Sequence, residues 1–228
     1  MNLKKIQCVY CGEFISGKPT RDHIPSKNLF TKGLAIKNPI IVNACTNCNN
    51  GFSFDEEYFR IFLVNMSLEK SFAADQLFYN EITRSFLSRP PLLKKVAATL
   101  KLVNLNVSGI DLGKKTAILF SRSDWQRYFH VLDKYIQGLY FHHTGHRYQD
   151  KGYLLEHKFL RKPNEQLAKK LKWDFTNREK FMYGTGIVPD TEQSIWYTVF
   201  FENVAFFSTI ADKDFFEKAK LRQKQITS

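Results

Sequence analysis

No stretch of this chain approaches the roughly 18 uncharged apolar residues that a membrane-crossing helix needs. The longest apolar run, SIWYTVFFENVAFFSTI, is interrupted by Glu202 and Asn203. The opening MNLKKIQCVYCG lacks the apolar core of a secretory signal. No cysteine follows Cys48, and there are only four in 228 residues. A secreted domain stapled by disulfides would be smaller and would spread its cysteines. Internal repeats and low-complexity tracts are also absent, which excludes a repeat array. These absences leave a globular protein of a reducing cytoplasm, with no membrane partner.

Acidic residues are scarce relative to basic ones: 22 Asp+Glu against 34 Lys+Arg, a net charge of +12. That surplus favours an acidic partner, nucleic acid before an anionic membrane. Residues 1–50 hold seven Lys/Arg and two acids, whereas residues 51–100 balance at six each, so part of the excess lies around the cysteines. Apolar content is ample at 43%, with 21 Phe, enough for a sizeable core.

The cysteines form two pairs, CVYC and CTNC, at Cys8, Cys11, Cys45 and Cys48. Two C-x-x-C pairs in a reducing compartment point to tetrahedral Zn²⁺ held by four thiolates. Such a site has no open coordination position, so the zinc is structural. Gly12 suits the tight turn that brings backbone amides to the sulfurs. The competing reading is four buried or redox-active thiols. The 33 residues between the pairs exceed what a plain zinc ribbon needs, and they contain TRDHIPSKNLF.

The spacing predicts an α+β fold. PIIV reads as a strand, and a helix begins between Cys48 and Phe54. Ser53 and Glu56 have capping-box spacing, and Asp55, Glu56 and Glu57 suit a helix N-terminus. Phe59, Phe62, Leu63 and Met66 mark its buried face. A helix follows Pro90 and Pro91, then strands at KLVNLNVS and TAILFS. Trp125, Phe129, Leu132, Ile136, Leu139 and His143 predict a long amphipathic helix from about Ser123 to His142. GYLLEHKFL reads as a strand, NEQLAKKLKW as a short basic helix, and SIWYTVFF with VAFFSTI as a hairpin turning near ENV. The division is a zinc-bound module over 1–65 and an α+β body over 66–228.

Asp22, His23 and Asn49 could act together. Asn49 directly follows a zinc ligand, and Asp22 and His23 lie between the cysteine pairs. On a strand, neighbouring side chains point to opposite faces, so one can hold a metal while the other faces a substrate. A carboxylate and an amide oxygen are hard donors that suit Mg²⁺ or Mn²⁺. A neutral imidazole, with an unperturbed pKa near ~6.5, can take a proton from water.

The order CVYC, DHIPS, CTNCN resembles the HNH, or ββα-metal, endonucleases in their zinc-stapled form, nearest to the endonuclease VII type. DEEYFR and GLYFHHTG also resemble segments of bacterial HNH proteins of unassigned role. The resemblance covers the first quarter of the chain. It implies a DNA-cleaving hydrolase with His23 as general base, Asp22 and Asn49 as ligands of a catalytic Mg²⁺ or Mn²⁺, and a bracing asparagine, Asn38 first and Asn43 second. It departs from the pattern in two places. Pro25 falls early, and Asn49 stands where many members carry His. A role in bacterial or phage DNA processing, including defence against phage, fits this family. RNA or branched DNA would be alternative substrates, and a protein partner or second copy is left open.

The bland readings compete at each remaining feature. His142, His143 and His146 read as packing or capping ahead of a second metal site. The basic segments KKLKW and RKPNEQLAKK read equally as solvated faces or phosphate contacts. The whole chain can also be read as a non-catalytic zinc adaptor that binds nucleic acid or protein, without need of His23.

Overall fold

Two antiparallel strands open the fold, β1 (Thr20–Ile24) and β2 (Ile40–Ala44), followed by helices α1 (Thr46–Gly51) and α2 (Ser53–Ser67). The computed structural model describes residues 6–31, 39–160, 165–177 and 179–227. Helices α3 (Phe72–Leu77), α4 (Thr83–Ser88) and α5 (Pro90–Ala97) come next, with one π turn, Phe78–Ile82, between α3 and α4. A hairpin, β3 (Leu100–Val107) and β4 (Ile110–Ile118), leads to the long helix α6 (Arg122–Thr144). Beyond it lie β5 (Leu154–Leu160), α7 (Glu165–Ala168), β6 (Lys172–Asn177), β7 (Phe181–Ile187), β8 (Ser194–Phe200), β9 (Val204–Ala211) and α8 (Lys213–Thr227). The last five strands form one antiparallel sheet in the order β5-β9-β8-β7-β6. The fold is mixed α+β with antiparallel sheets, and its N-terminal part runs strand, strand, helix with the four cysteines.

Helix α6 lies at the centre. Ser121 and Asp124 form a capping box at its start, and Gly145, with a left-handed φ of 78°, ends it. From Val131 to Tyr140 nearly every residue is buried, as expected of a helix covered on several sides. Its aromatic residues meet those of α2 and the sheet: Tyr128 stacks on Phe62 of α2 at 4.4 Å, and Tyr135 meets Phe200 of β8 at 6.3 Å. Gly138 allows α6 to lie against the β1–β2 hairpin, because a Cβ there would run into the Ile24 side chain. One apolar core therefore joins residues on β1, β2, α2, α6 and the sheet.

Two local expectations need correction. Ser53 and Glu56 do not form a capping box. Phe52 is the N-cap residue and offers no side-chain bond, while Glu56 turns inward to Ser26 and Lys134. The segment read as a helix through Trp173 is helical only over Glu165–Ala168, and Lys172–Asn177 is an edge strand; Asn164 lies outside the described residues. The Trp173 indole donates to Ala168 O at 2.7 Å, folding that strand's start back on α7. The β8–β9 hairpin turns at Phe201 and Glu202, both with positive φ. No helix among the described residues is long and apolar enough to cross a membrane.

Candidate metal centre and the Asp-His strand

The first cysteine pair sits on a tight knuckle. Gln7 bridges to Phe14, and the Cys8 amide donates to Glu13 O at 2.9 Å. Gly12 closes the turn with φ of 79°, which favours glycine. The second pair straddles the start of α1, where Cys45 is the N-cap. The four Sγ atoms all lie within 4.8 Å of one another. Backbone amides point at the sulfurs: Cys45 N–H donates to Cys8 Sγ at 3.3 Å, and Cys48 N–H to Cys45 Sγ at 3.4 Å.

The electrostatics of the cluster suit a cation. Burial pushes the Cys8 thiol up, but amides of Cys11, Cys45 and Tyr10 outweigh it and bring the pKa to about 7. Burial and the neighbouring sulfurs push Cys48 well up. Four clustered thiolates repel one another unless a divalent ion neutralises them, and the sulfur-only donor set suits Zn²⁺. The cluster is consistent with a structural zinc. Among the described residues it is also the one group of three or more Cys, His, Asp or Glu side chains close enough to hold a metal together.

The cluster pins β1 and β2 beside it. Val9 N–H donates to Asn43 O at 3.1 Å, and Arg147, just beyond α6, donates to Val9 O at 2.9 Å and Tyr10 O at 3.0 Å. Along β1 the side chains alternate as the strand period demands. Asp22 and Ile24 are buried, while Arg21 is exposed and His23 half-buried. Asp22 and His23 therefore point to opposite faces.

Asp22 is 5% exposed and does not stand alone. Its Oδ2 accepts from the Tyr10 hydroxyl at 2.6 Å and from Lys134 Nζ at 2.9 Å. Lys134, 1% exposed, also binds Glu56, which accepts from Ser26 Oγ. The Tyr135 hydroxyl accepts from Ser26 N–H at 3.3 Å. Burial and the Asp22 charge raise the Tyr10 pKa steeply, so its hydroxyl stays protonated and donates. Two carboxylates thus share one lysine in a hydrogen-bonded cluster, which is how a buried charge is compensated. The reading of the sequence did not single out Lys134, Tyr10 or Tyr135. The helical period sets Lys134 beside His130 and Gln137 and opposite the Trp125–Leu139 stripe, so nothing local marks it as buried.

His23 pairs with Ile41 in the hairpin register. Burial, then the charge of Lys27, lowers its pKa, so the ring is neutral near pH 7. Asn49 is half-buried on α1, its amide donating to Cys45 O at 3.0 Å. No hydrogen bond or ion pair among the described residues joins Asn49 to Asp22 or His23, and none reaches Asp22 Oδ1. Asn43 is exposed, and its backbone carbonyl serves the knuckle. Asn38 lies outside the described residues. Of the histidines in HHTGH, His143 Nε2 meets the Tyr183 hydroxyl at 2.9 Å and His146 Nε2 meets Glu192 at 2.6 Å, which are packing and capping roles.

No protein-family model matches the chain, and no curated protein or solved structure matches it either.

Proposed function

We propose that this protein is a metal-dependent phosphodiester hydrolase of the HNH type, acting on DNA. One observation carries the reading. A strand bearing Asp22 and His23 and a helix bearing Asn49 belong to one strand-strand-helix unit, closed by a four-cysteine cluster. Zinc there would be structural, fixing the start of α1 and the knuckle beside β1.

His23 is the general base. Its neutral ring accepts a proton from water while the water oxygen attacks phosphorus and the bond to the 3′ oxygen breaks. The products are a 5′-phosphate and a 3′-hydroxyl: one proton of the attacking water rests on His23, and the 3′ oxygen takes its proton from solvent water, which the second proton of the attacking water replaces. Asp22 Oδ1 and the Asn49 side-chain oxygen are hard donors that suit Mg²⁺ or Mn²⁺. When bound, such an ion offsets charge on the phosphate and the leaving oxygen. Lys134 holds the other Asp22 oxygen, orienting the carboxylate while weakening its pull on a cation.

The Lys134–Asp22 pair favours a second reading, a non-catalytic zinc module that binds nucleic acid or protein. Incubating purified protein with supercoiled plasmid and Mg²⁺ or Mn²⁺, beside His23→Ala, separates the two. The hydrolase reading expects cleavage that falls by roughly 10²–10⁴-fold in the variant. Equal cleavage by both refutes His23 as the base, and cleavage by neither leaves the adaptor reading.

A further inference from the structure

Beside Asn28 and Thr31 of the β1–β2 connection, α2, α4 and the π turn line a cleft of about 800 Å³. A second cleft of about 510 Å³ adjoins it, and Phe54, Glu57, Ser88 and Arg89 line both. Their walls carry five cationic side chains, Arg60, Arg84, Arg89, Lys95 and Arg127, against two carboxylates, Glu57 and Glu81. Arg89 and Arg60 share Glu57, Arg60 also meets Glu81, and Arg127 pairs with Asp55, so the surplus in the groove rests on Arg84 and Lys95.

The floor of the larger cleft is polar and incompletely satisfied. Arg60 is 6% exposed, and its Nε has no hydrogen-bond partner; nor has the buried Oδ1 of Asn28. The terminal nitrogens of Arg60 reach Asn28 O at 3.2 Å, Glu81 at 3.5 Å and Glu57 at 3.8 Å. Buried polar atoms left unpaired call for water or a ligand. Arg84 is exposed and makes no ion pair among the described residues. The π turn Phe78–Ile82 sets Asn80 and Glu81 in the wall, and such turns concentrate at functional sites.

Phe54 is 76% exposed and lines both clefts. Its ring contributes little to the core. An aromatic face in water, with guanidinium groups on either side, matches how proteins grip unpaired bases and their phosphates. A duplex keeps its base faces stacked and would leave that ring idle.

We propose that this groove binds a single-stranded stretch of nucleic acid, with Phe54 stacked on a base and Arg84 and Arg89 at the phosphates. That the bound strand is the substrate rests on the hydrolase reading; the binding rests on the groove alone.

The test is fluorescence anisotropy with a labelled oligothymidylate of about 20 nucleotides, using the full zinc-loaded chain carrying His23→Ala and no added divalent metal. Affinity should fall steeply with salt, and Phe54→Ala and Arg84→Glu should each weaken it by roughly tenfold. Lys101→Glu, an equal charge reversal on exposed β3, should bind nearly as the parent does. A duplex of the same length should bind more weakly and ignore Phe54→Ala. Unchanged denaturation midpoints for the variants confirm that they fold. The proposal falls if the parent shows no salt-sensitive binding, if Phe54→Ala binds as the parent does, or if Lys101→Glu loses as much as Arg84→Glu. Lost binding with plasmid cleavage intact removes the groove and leaves the hydrolase. Binding without cleavage removes the hydrolase and leaves the groove.

Discussion

Replacing Lys134 with Met keeps most of the side-chain volume and removes the charge. Lys134 Nζ sits 2.9 Å from Asp22 Oδ2 and also binds Glu56. Without it, two buried carboxylates share a pocket with neutral hydroxyls and no cation. Removing one partner of a buried pair costs roughly 3–5 kcal/mol, a large fraction of the ~5–15 kcal/mol that stabilises a typical domain. Urea denaturation of the zinc-loaded chain, followed by tryptophan fluorescence, measures the loss; Trp196 is fully buried and reports on the core. Adding Glu56→Gln to Lys134→Met removes one stranded charge, so the double variant should lose less than the two singles combined, by ~0.5–3 kcal/mol. A Lys134→Met chain within ~1 kcal/mol of wild type, or strictly additive singles, would refute the shared-lysine account.

Three further outcomes are expected. Mass spectrometry of the native protein should find one zinc per chain, and Cys11→Ser or chelation should unfold the N-terminal part, since such sites contribute on the order of 10 kcal/mol; an equally stable metal-free chain contradicts this. Burial raises Asp55, but hydrogen bonds from His130 and Arg127 outweigh it and hold its carboxyl below 3.8. That stabilisation is complete above 3.8 and disappears as pH falls through the lowered value. Wild type should therefore lose stability more steeply than Asp55→Asn on acidification below 3.8, and parallel curves would count against the pairing. Gly138→Ala should cost ~1–3 kcal/mol, because the new methyl displaces Ile24, and Ile24→Val in the same chain should recover part of it; a neutral Gly138→Ala would show that the two elements are not in close contact.

Features set by neighbouring residues could be read from the sequence. The cysteine pairs disclose the four-sulfur cluster, because a C-x-x-C turn sets two thiols side by side. The apolar period from Trp125 to Leu139 discloses α6, and the β-branched and aromatic runs SIWYTVFF and VAFFSTI disclose β8 and β9. Features set by distant partners could not. Glu56 has the spacing of a cap, yet its direction is decided by Lys134, which lies on a different helix. Trp173 looked helical beside Leu167 and Leu171, but strand pairing with Gly184 claims it. Helix α8 was missed because most of its described residues are exposed, with Phe216 the buried anchor. Asp22 was identified as chemically important, but nothing near it in sequence disclosed the lysine that holds it.

The position of α6 determines how this chain can be dissected. A fragment ending after residue 65 would keep every cysteine and the Asp-His strand. It would lose Arg147 from the knuckle, Lys134 from between two acids, and the glycine surface on which Ile24 and Val42 rest. Such a piece could still capture zinc, yet its hairpin would have an uncovered apolar underside and an uncompensated negative pocket. Grafting this cassette onto another scaffold would therefore require a surrogate for the helix as well as the metal.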